Sequence, residues 1–486
     1  MLRNTSYEQL DLFQLIEYHR IPKNHTLLQI DSEISLGFVN DLLADKYHKT
    51  LGRPACKPEI MVRICILQRI YPLSDEAVID EIAVNRAFEY FCHISPMDKL
   101  PHPSALCKFR KLRLDENTMD DIIAEIVRQM IKKGIIKEES GIIVDSTHIL
   151  ANTIKKVPER LMEHLAKNIF RETAEKNGLT DKEVEDDVRK KSDRLPKWEN
   201  YEDHQESKTD MKKALEEVIA QSDSELDSVK EAKEVLESEQ FIEQKGIRSL
   251  QDKDARVGRK DHTTSFFGYK SEFIMTEEGI ITGMTVQPGN YRDGDRFQDL
   301  LEKTKKAGVK PSAAYGDKAY CRPDILGETK KLGIEAYIPI SHSAYRINEE
   351  FFVYNKDSDT WTCINGNESG IGKKKRKKNQ IDYLFKRECC RNCPHRQQCL
   401  GKAKTIAKKL SVGTSTAELY EHSQFTQSEE FWERYKVRAR IEPKNSEMKR
   451  FHGLDRAVGY GLRSIQLQAM FTAIAVDLKR MVTLKR

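Results

Sequence analysis

No stretch of this 486-residue chain approaches the ~18 consecutive apolar residues that a membrane-spanning helix requires, so no membrane partner is expected. The opening segment MLRNTSYEQLDLF lacks the basic-then-apolar pattern of a secretory signal, and we read the protein as cytoplasmic. No single charge dominates either. Eighty-two Lys and Arg against 77 Asp and Glu leave a formal charge of +5, a balance that favours solubility and identifies no partner. The ten cysteines are too unevenly placed for a disulfide framework. Cys56, Cys65, Cys92 and Cys107 stand singly in apolar, helix-like surroundings, where a free thiol behaves as a small hydrophobe. No internal repeat is apparent. A chain of this length exceeds one hydrophobic core, and two to four domains are expected.

The informative features are local. Lys373 to Lys378 are six consecutive cations, and the segment after Glu433 is again rich in Lys and Arg. Such runs serve polyanions through counterion release or simply form solvated loops. Residues 1–135 read as a helical DNA-binding or assembly domain. After the GRP tripeptide ending at Pro54, Pro58 suits a first helical turn, with Ile60, Ile64 and Leu67 on one face. Ser74 is a candidate N-cap for a helix reaching about Phe91, Ser104 for a cationic helix, and Thr118 with Asp121 resembles a capping box. This set fits a helix-turn-helix and any small helical bundle equally well.

Beyond Gly134 the pattern changes. Ile142-Ile143-Val144 is a short β-branched run ending on Asp145, and Ala313-Ala314-Tyr315 leads through Gly316 to Asp317. Between them, residues 155–260 are dominated by Lys, Glu and Asp and read as a charged, mostly solvated helical insertion. Phe266–Thr276 and Ile280–Val286 form a hairpin around Glu277-Glu278-Gly279, followed by helices over 293–307 and 323–332 and a strand over 336–340. The order strand, strand, strand, helix, strand, helix, strand predicts a mixed sheet with packed helices, an α+β or α/β core formed by 136–154 and 261–344 and completed by the helices of 411–486. Residues 345–410 form a small Cys-rich, basic insertion. Leu467, Met470, Phe471, Ile474, Leu478 and Met481 recur at helical spacing, as core packing would.

A carboxylate at the end of a buried strand costs several kcal/mol unless it is paired or binds a cation, which marks Asp145 and Asp317. Tyr435, Arg438, Glu442 and Lys449 follow at offsets of three, seven and fourteen residues. At ~100° per residue all four fall within an arc of roughly 60°. Taken alone, that face is also what a salt-bridged helix surface presents.

These residues carry a resemblance. Tyr435, Arg438, Glu442 and Lys449 have the Y-R-E-K spacing of insertion-sequence transposases with an Asp-Asp-Glu active site. VDSTHILANT and YGDKAY resemble the strands bearing that group's two aspartates. GRPACKPEIMVRICILQRIYPLSDEAVIDEI is similar to its InsH-like N-terminal domain, and KDARVGRK followed by FGYK is typical of the approach to its second strand. The resemblance implies a ribonuclease-H-like core in a bacterial, nucleoid-associated enzyme. Asp145, Asp317 and Glu442 would hold two Mg²⁺ ions, with Mn²⁺ as a substitute. Tyr435, Arg438 and Lys449 would grip DNA phosphates. Transposon-end and target DNA would be the partners, and a homodimer or larger oligomer would assemble on them. A relative that binds DNA without cutting and a plain metal-dependent nuclease are the alternatives. Pro443 directly after Glu442 disturbs helical geometry, so a kink is expected there, with Glu447 as the alternative third acid.

Cys390 and Cys393, two residues apart, and Cys399, five further on, have spacings suited to a structural zinc site with Cys363 as fourth ligand. Cys389 and His395 compete for that fourth place, and a loop of reduced thiols is the alternative.

Overall fold

The computed structural model describes residues 12–48, 54–95, 98–238, 240–243, 246–260, 263–342, 344–375, 379–401 and 406–485. Gly52 and Arg53 of the GRP tripeptide, and Arg376 to Lys378 of the basic run, lie outside the described residues. Among the described residues, no helix is long and apolar enough to cross a membrane.

A six-stranded mixed sheet positions everything else: β1 (Glu139–Leu150), β2 (Arg256–Arg259), β3 (Ser265–Thr276), β4 (Ile281–Pro288), β5 (Lys310–Tyr315) and β6 (Glu335–Tyr337). β3 runs antiparallel to β1 and carries both β2 and β4 on its other side. β5 and β6 extend the sheet beyond β1 in parallel. This antiparallel hairpin beside a parallel pair is compatible with a ribonuclease-H-like core. The predicted strands are all present. β2 is an addition to them, too short and too polar to show alternation in the sequence.

The sheet is covered on both faces because its strands are apolar on both. One face packs Ile142, Val144 and Ile274 against Phe297, Leu300, Leu301 and Ile325 of the helices Phe297–Lys306 and Pro323–Lys331. The other packs Ile143, Ile149, Phe273 and Met284 against Ile441, Met448, Ile465 and Val476 from the C-terminal helices.

The last helix, Leu462–Leu484, is buried on all sides. Its predicted stripe of Leu467, Met470, Phe471, Ile474, Leu478 and Met481 does pack into a core, one shared with the N-terminal helices. Its opposite side faces the sheet. Polar residues on it also seal the outer edge of β4: Asp477 Oδ1 accepts from Ile281 N at 2.9 Å, and Gln466 donates to Met284 O at 3.1 Å. Edge-strand groups left open would pair with other chains, so this cover is protective.

The N-terminal helices depart from expectation at their ends. Ser74 caps its helix as predicted, but that helix stops at Val84, and Asn85 Oδ1 accepts from Ala87 N at 3.0 Å to start a new one, Arg86–Cys92. An Asn that satisfies orphan amides is a stronger local signal than the apolar spacing running through it. Likewise His102 and Asp115, rather than Ser104 and Thr118, cap the next two helices.

The charged insertion is also more than a solvated arm. Its helices Pro158–Lys176, His204–Gln221 and Asp227–Glu237 bury Leu161, Leu165, Ile169, Met211, Leu215 and Val229 together, a core sparse in residues but contiguous. The Cys-rich insertion consists of a hairpin, Phe352–Asn355 with Thr360–Cys363, and a three-stranded sheet around Gln380–Leu384, sharing the aromatic core of Phe352, Trp361, Tyr383 and Phe385.

Candidate active site

β1 outlasts its parallel neighbour. Pairing with β5 ends at Ile143 and Tyr315, whereas pairing with β3 continues to Leu150 and Gly268. Asp145 and Asp317 each lie two residues beyond that last parallel pair. Adjacent strands are ~4.8 Å apart, so the register alone sets these two carboxylates side by side where one edge of β1 lies open. The effect is electrostatic as well. Burial, together with the nearby charges of Asp317 and Asp293, outweighs Arg438 and pushes Asp145 up to about 6.

The open edge is filled from the C-terminal region. Helix Glu429–Tyr435 tightens into a 3₁₀ turn, Lys436–Arg440, before a second α-helix runs from Ile441 to His452. Pro443 thus sits in a first turn, where its missing N–H is an orphan in any case. The break predicted at Pro443 falls slightly earlier, in the 3₁₀ turn. The face survives in part. Arg438 stands 3.7 Å from Asp145 Oδ2 and 3.3 Å from Glu442 Oε1, bridging the strand acid to the helix acid. Tyr435 stacks on Phe431, ring centroids 5.8 Å apart, and feels the charges of Asp317, Asp145 and Glu442 together; burial and these acids raise its phenol above the ordinary value.

Glu442 is 70 % exposed, its carboxylate turned to Arg438. Glu447 points elsewhere. It lies 3.3 Å from Lys444, 3.7 Å from Lys479 and 3.8 Å from His452, and despite burial the hydrogen bond from His452 and the charges of the two lysines hold it near 2. Lys449 is removed from the acids and approaches His148 instead.

Two residues of the site were missed from the sequence. Asn445 donates from Nδ2 to Asp145 Oδ2 at 3.2 Å, leaving its own Oδ1 buried without a partner. Its signal was available: it follows Glu442 by three residues, one turn along the same helix. Asp293, which bonds Lys270 at 3.0 Å and adds to the charge on Asp145, gave no signal, because a loop acid before a helix looks like a cap. Arg438 Nε is a second buried atom without a partner.

The four cysteines singled out by spacing also converge. Cys363, Cys390, Cys393 and Cys399, with Cys389 and His395, line one cavity of about 30 Å³. Burial raises the Cys399 thiol, and the other three of the four raise it further against Lys408. Lys408 N donates to Cys390 Sγ at 3.5 Å. Among the described residues, no three His, Cys, Asp or Glu side chains are spaced as a formed metal centre would have them, here or at the acids.

Two segments of the chain match known protein families. Residues 16–112 match a transposase domain (DUF772), and residues 362–482 match a transposase DDE domain. Both matched segments are transposase domains, the second of the DDE type. The second match contains Glu442 and the cysteines, while Asp145 and Asp317 precede it. The chain is also similar to an uncharacterized protein, ORF8 in the nfe locus of Rhizobium meliloti, 27 % identical over 100 residues. That stretch is 19 % of this chain and 46 % of the relative, so the chain spans under half of the relative's length. No solved structure matches.

Proposed function

We propose that this transposase cuts DNA at the ends of its element and joins the freed 3′-hydroxyl to target DNA, with Asp145, Asp317 and Glu442 as its metal-holding acids on a ribonuclease-H-like core. The observation that supports the reading is the strand register, in which β1–β5 pairing ends two residues before Asp145 on one strand and two before Asp317 on the other, with Arg438 3.7 Å from Asp145.

The residues present fit a divalent cation. Burial, with the charge of Asp317 added to it, raises Asp145 to about 6, and the unpartnered Asn445 Oδ1 is a neutral oxygen beside it. Such an all-oxygen donor set suits Mg²⁺, and Mn²⁺ in its place. When bound, a pair of such ions supplies an activated water and neutralises charge on the leaving oxygen. The chain's own residues do the rest. Arg438, with an unused Nε–H, offers a fork for phosphate oxygens, and Tyr435 a hydroxyl braced on Phe431. Lys449 supplies a further cation to the DNA backbone. A metal would draw Glu442 from Arg438 into the acid group, freeing the guanidinium for phosphate.

Two element ends must be joined, so the active form is a dimer or larger assembly on DNA, working in the cytoplasm. The N-terminal helices of 1–135 and the insertion of 155–260 would contribute DNA contacts and assembly. Cys363, Cys390, Cys393 and Cys399 would close on a structural Zn²⁺ by small side-chain rotations around the cavity they line.

Incubating a supercoiled plasmid bearing the element ends with protein and Mg²⁺ tests the reading. End-specific nicks and strand-transfer products are expected, abolished by Asp145→Asn and by Asp317→Asn. Binding without nicks would indicate a non-cutting relative, and degradation independent of the ends a plain nuclease; either outcome overturns the proposal.

A further inference from the structure

Three residues beyond Asp145 on β1, charge of the opposite sign collects. Lys449 Nζ lies 3.3 Å from His148 Nδ1 and 3.4 Å from Nε2. The imidazole is braced on its other side by the Phe266 ring, centroids 5.1 Å apart. Lys260, exposed directly after β2, adds its charge to both. Burial, then Lys449, Lys260 and Lys270, holds His148 down to about 4, so the ring is neutral and accepts a hydrogen bond from the lysine. Burial and Lys260 bring Lys449 itself to about 8, partly offset by Asp455.

Among the described residues, the carboxylates nearby do not answer this charge. Asp293 is engaged by Lys270 at 3.0 Å through both oxygens. Asp455 acts on Lys449 only through space, and among the described residues neither Lys449 nor Lys260 makes an ion pair. Cations drawn together without a counter-charge repel one another, and an entering anion relieves the group. Its place says which anion. It lies on the same strand and the same helix as the acid group, about 10 Å further along β1 at ~3.4 Å per residue. That is roughly three nucleotide steps along one strand of a duplex.

We propose that Lys260 and Lys449 form a phosphodiester subsite beside the acids, gripping the backbone of bound DNA a few nucleotides from the reacting phosphate, with His148 as the positioning residue that aims Lys449. This rests on the DNA-processing reading above and adds to it two residues, Lys260 and His148, and a location. His148 serves through its acceptor nitrogen, which fixes the position of the ammonium.

Binding of a duplex oligonucleotide of the element end, measured by fluorescence anisotropy in EDTA between 50 and 200 mM salt, tests it without any cutting. Each cation withdrawn from a phosphate lowers the slope of log K against log salt by about 0.9. Lys449→Met and Lys260→Met are each expected to reduce it by about that much. His148→Leu should follow Lys449→Met, and His148→Gln, which keeps an acceptor, should recover most of the slope. Lys310→Met, at the far end of β5 and paired with Glu138 at 2.8 Å, is expected to leave the slope unchanged. If both lysine variants bind with the wild-type slope, the subsite is wrong and the DNA reading stands. If no form binds DNA, both fail. A His148→Gln protein no better than His148→Leu overturns the role given to His148.

Discussion

Glu442 and Glu447 are five residues apart on one helix, and the proposed site gives them opposite roles that isosteric substitution separates. Glu447 is held near 2, against an ordinary 4.5. At about 1.36 kcal/mol for each pH unit of that gap, the carboxylate contributes ~3 kcal/mol of native-state stabilisation, reduced to about 2 for its partial exposure. Glu447→Gln also strands Lys444, whose side chain is 6 % exposed, which works in the same direction. We therefore predict a loss of about 2–4 kcal/mol for Glu447→Gln in urea titrations at pH 7. Because the carboxylate's affinity for protons is lowered on folding, its contribution is complete above pH 4.5 and fades as pH falls toward 2. The gap from wild type should accordingly narrow between about pH 5 and pH 3. Glu442→Gln, at a side chain 70 % exposed, should change stability by less than ~0.5 kcal/mol and abolish cutting. Equal destabilisation by both, or cutting that survives Glu442→Gln and is lost per folded molecule in Glu447→Gln, would refute the assignment.

Gln466→Leu removes the donor to Met284 O at the edge of β4 and should cost about 1–3 kcal/mol, with faster hydrogen exchange in β4. Met470→Ala opens a cavity where the N-terminal helices meet the last helix. A loss of about 2–5 kcal/mol is expected, read as earlier thermal unfolding of the intact chain. Purified protein should carry close to one equivalent of zinc by mass spectrometry, reduced sharply in Cys393→Ser; metal-free wild type with all thiols reactive would remove the zinc site.

Much of the core was legible because burial and chemistry coincide in its strands. Ile142 to Val144 and Ala313 to Tyr315 are apolar runs that lead to an acid, the first directly and the second through Gly316, and both acids fall in the candidate site. The hairpin was legible through Gly279, whose positive φ of 87° the turn requires. What escaped depends on partners distant in sequence. Asn445 acts only because β1 passes within 3.2 Å, 300 residues earlier in the chain. Lys449 fell on the predicted face by helical arithmetic, yet its partner is His148, which no spacing could announce. The core of the charged insertion was obscured because its apolar residues are few and spread over helices separated by polar turns.

Anomalous diffraction from crystals soaked in Mn²⁺ tests the central claim most directly. The account predicts manganese peaks bounded by the carboxylates of Asp145 and Asp317, with Glu442 swung from Arg438 to complete the coordination. Manganese bound elsewhere, with Asp145 and Asp317 bare at saturating metal, would contradict it.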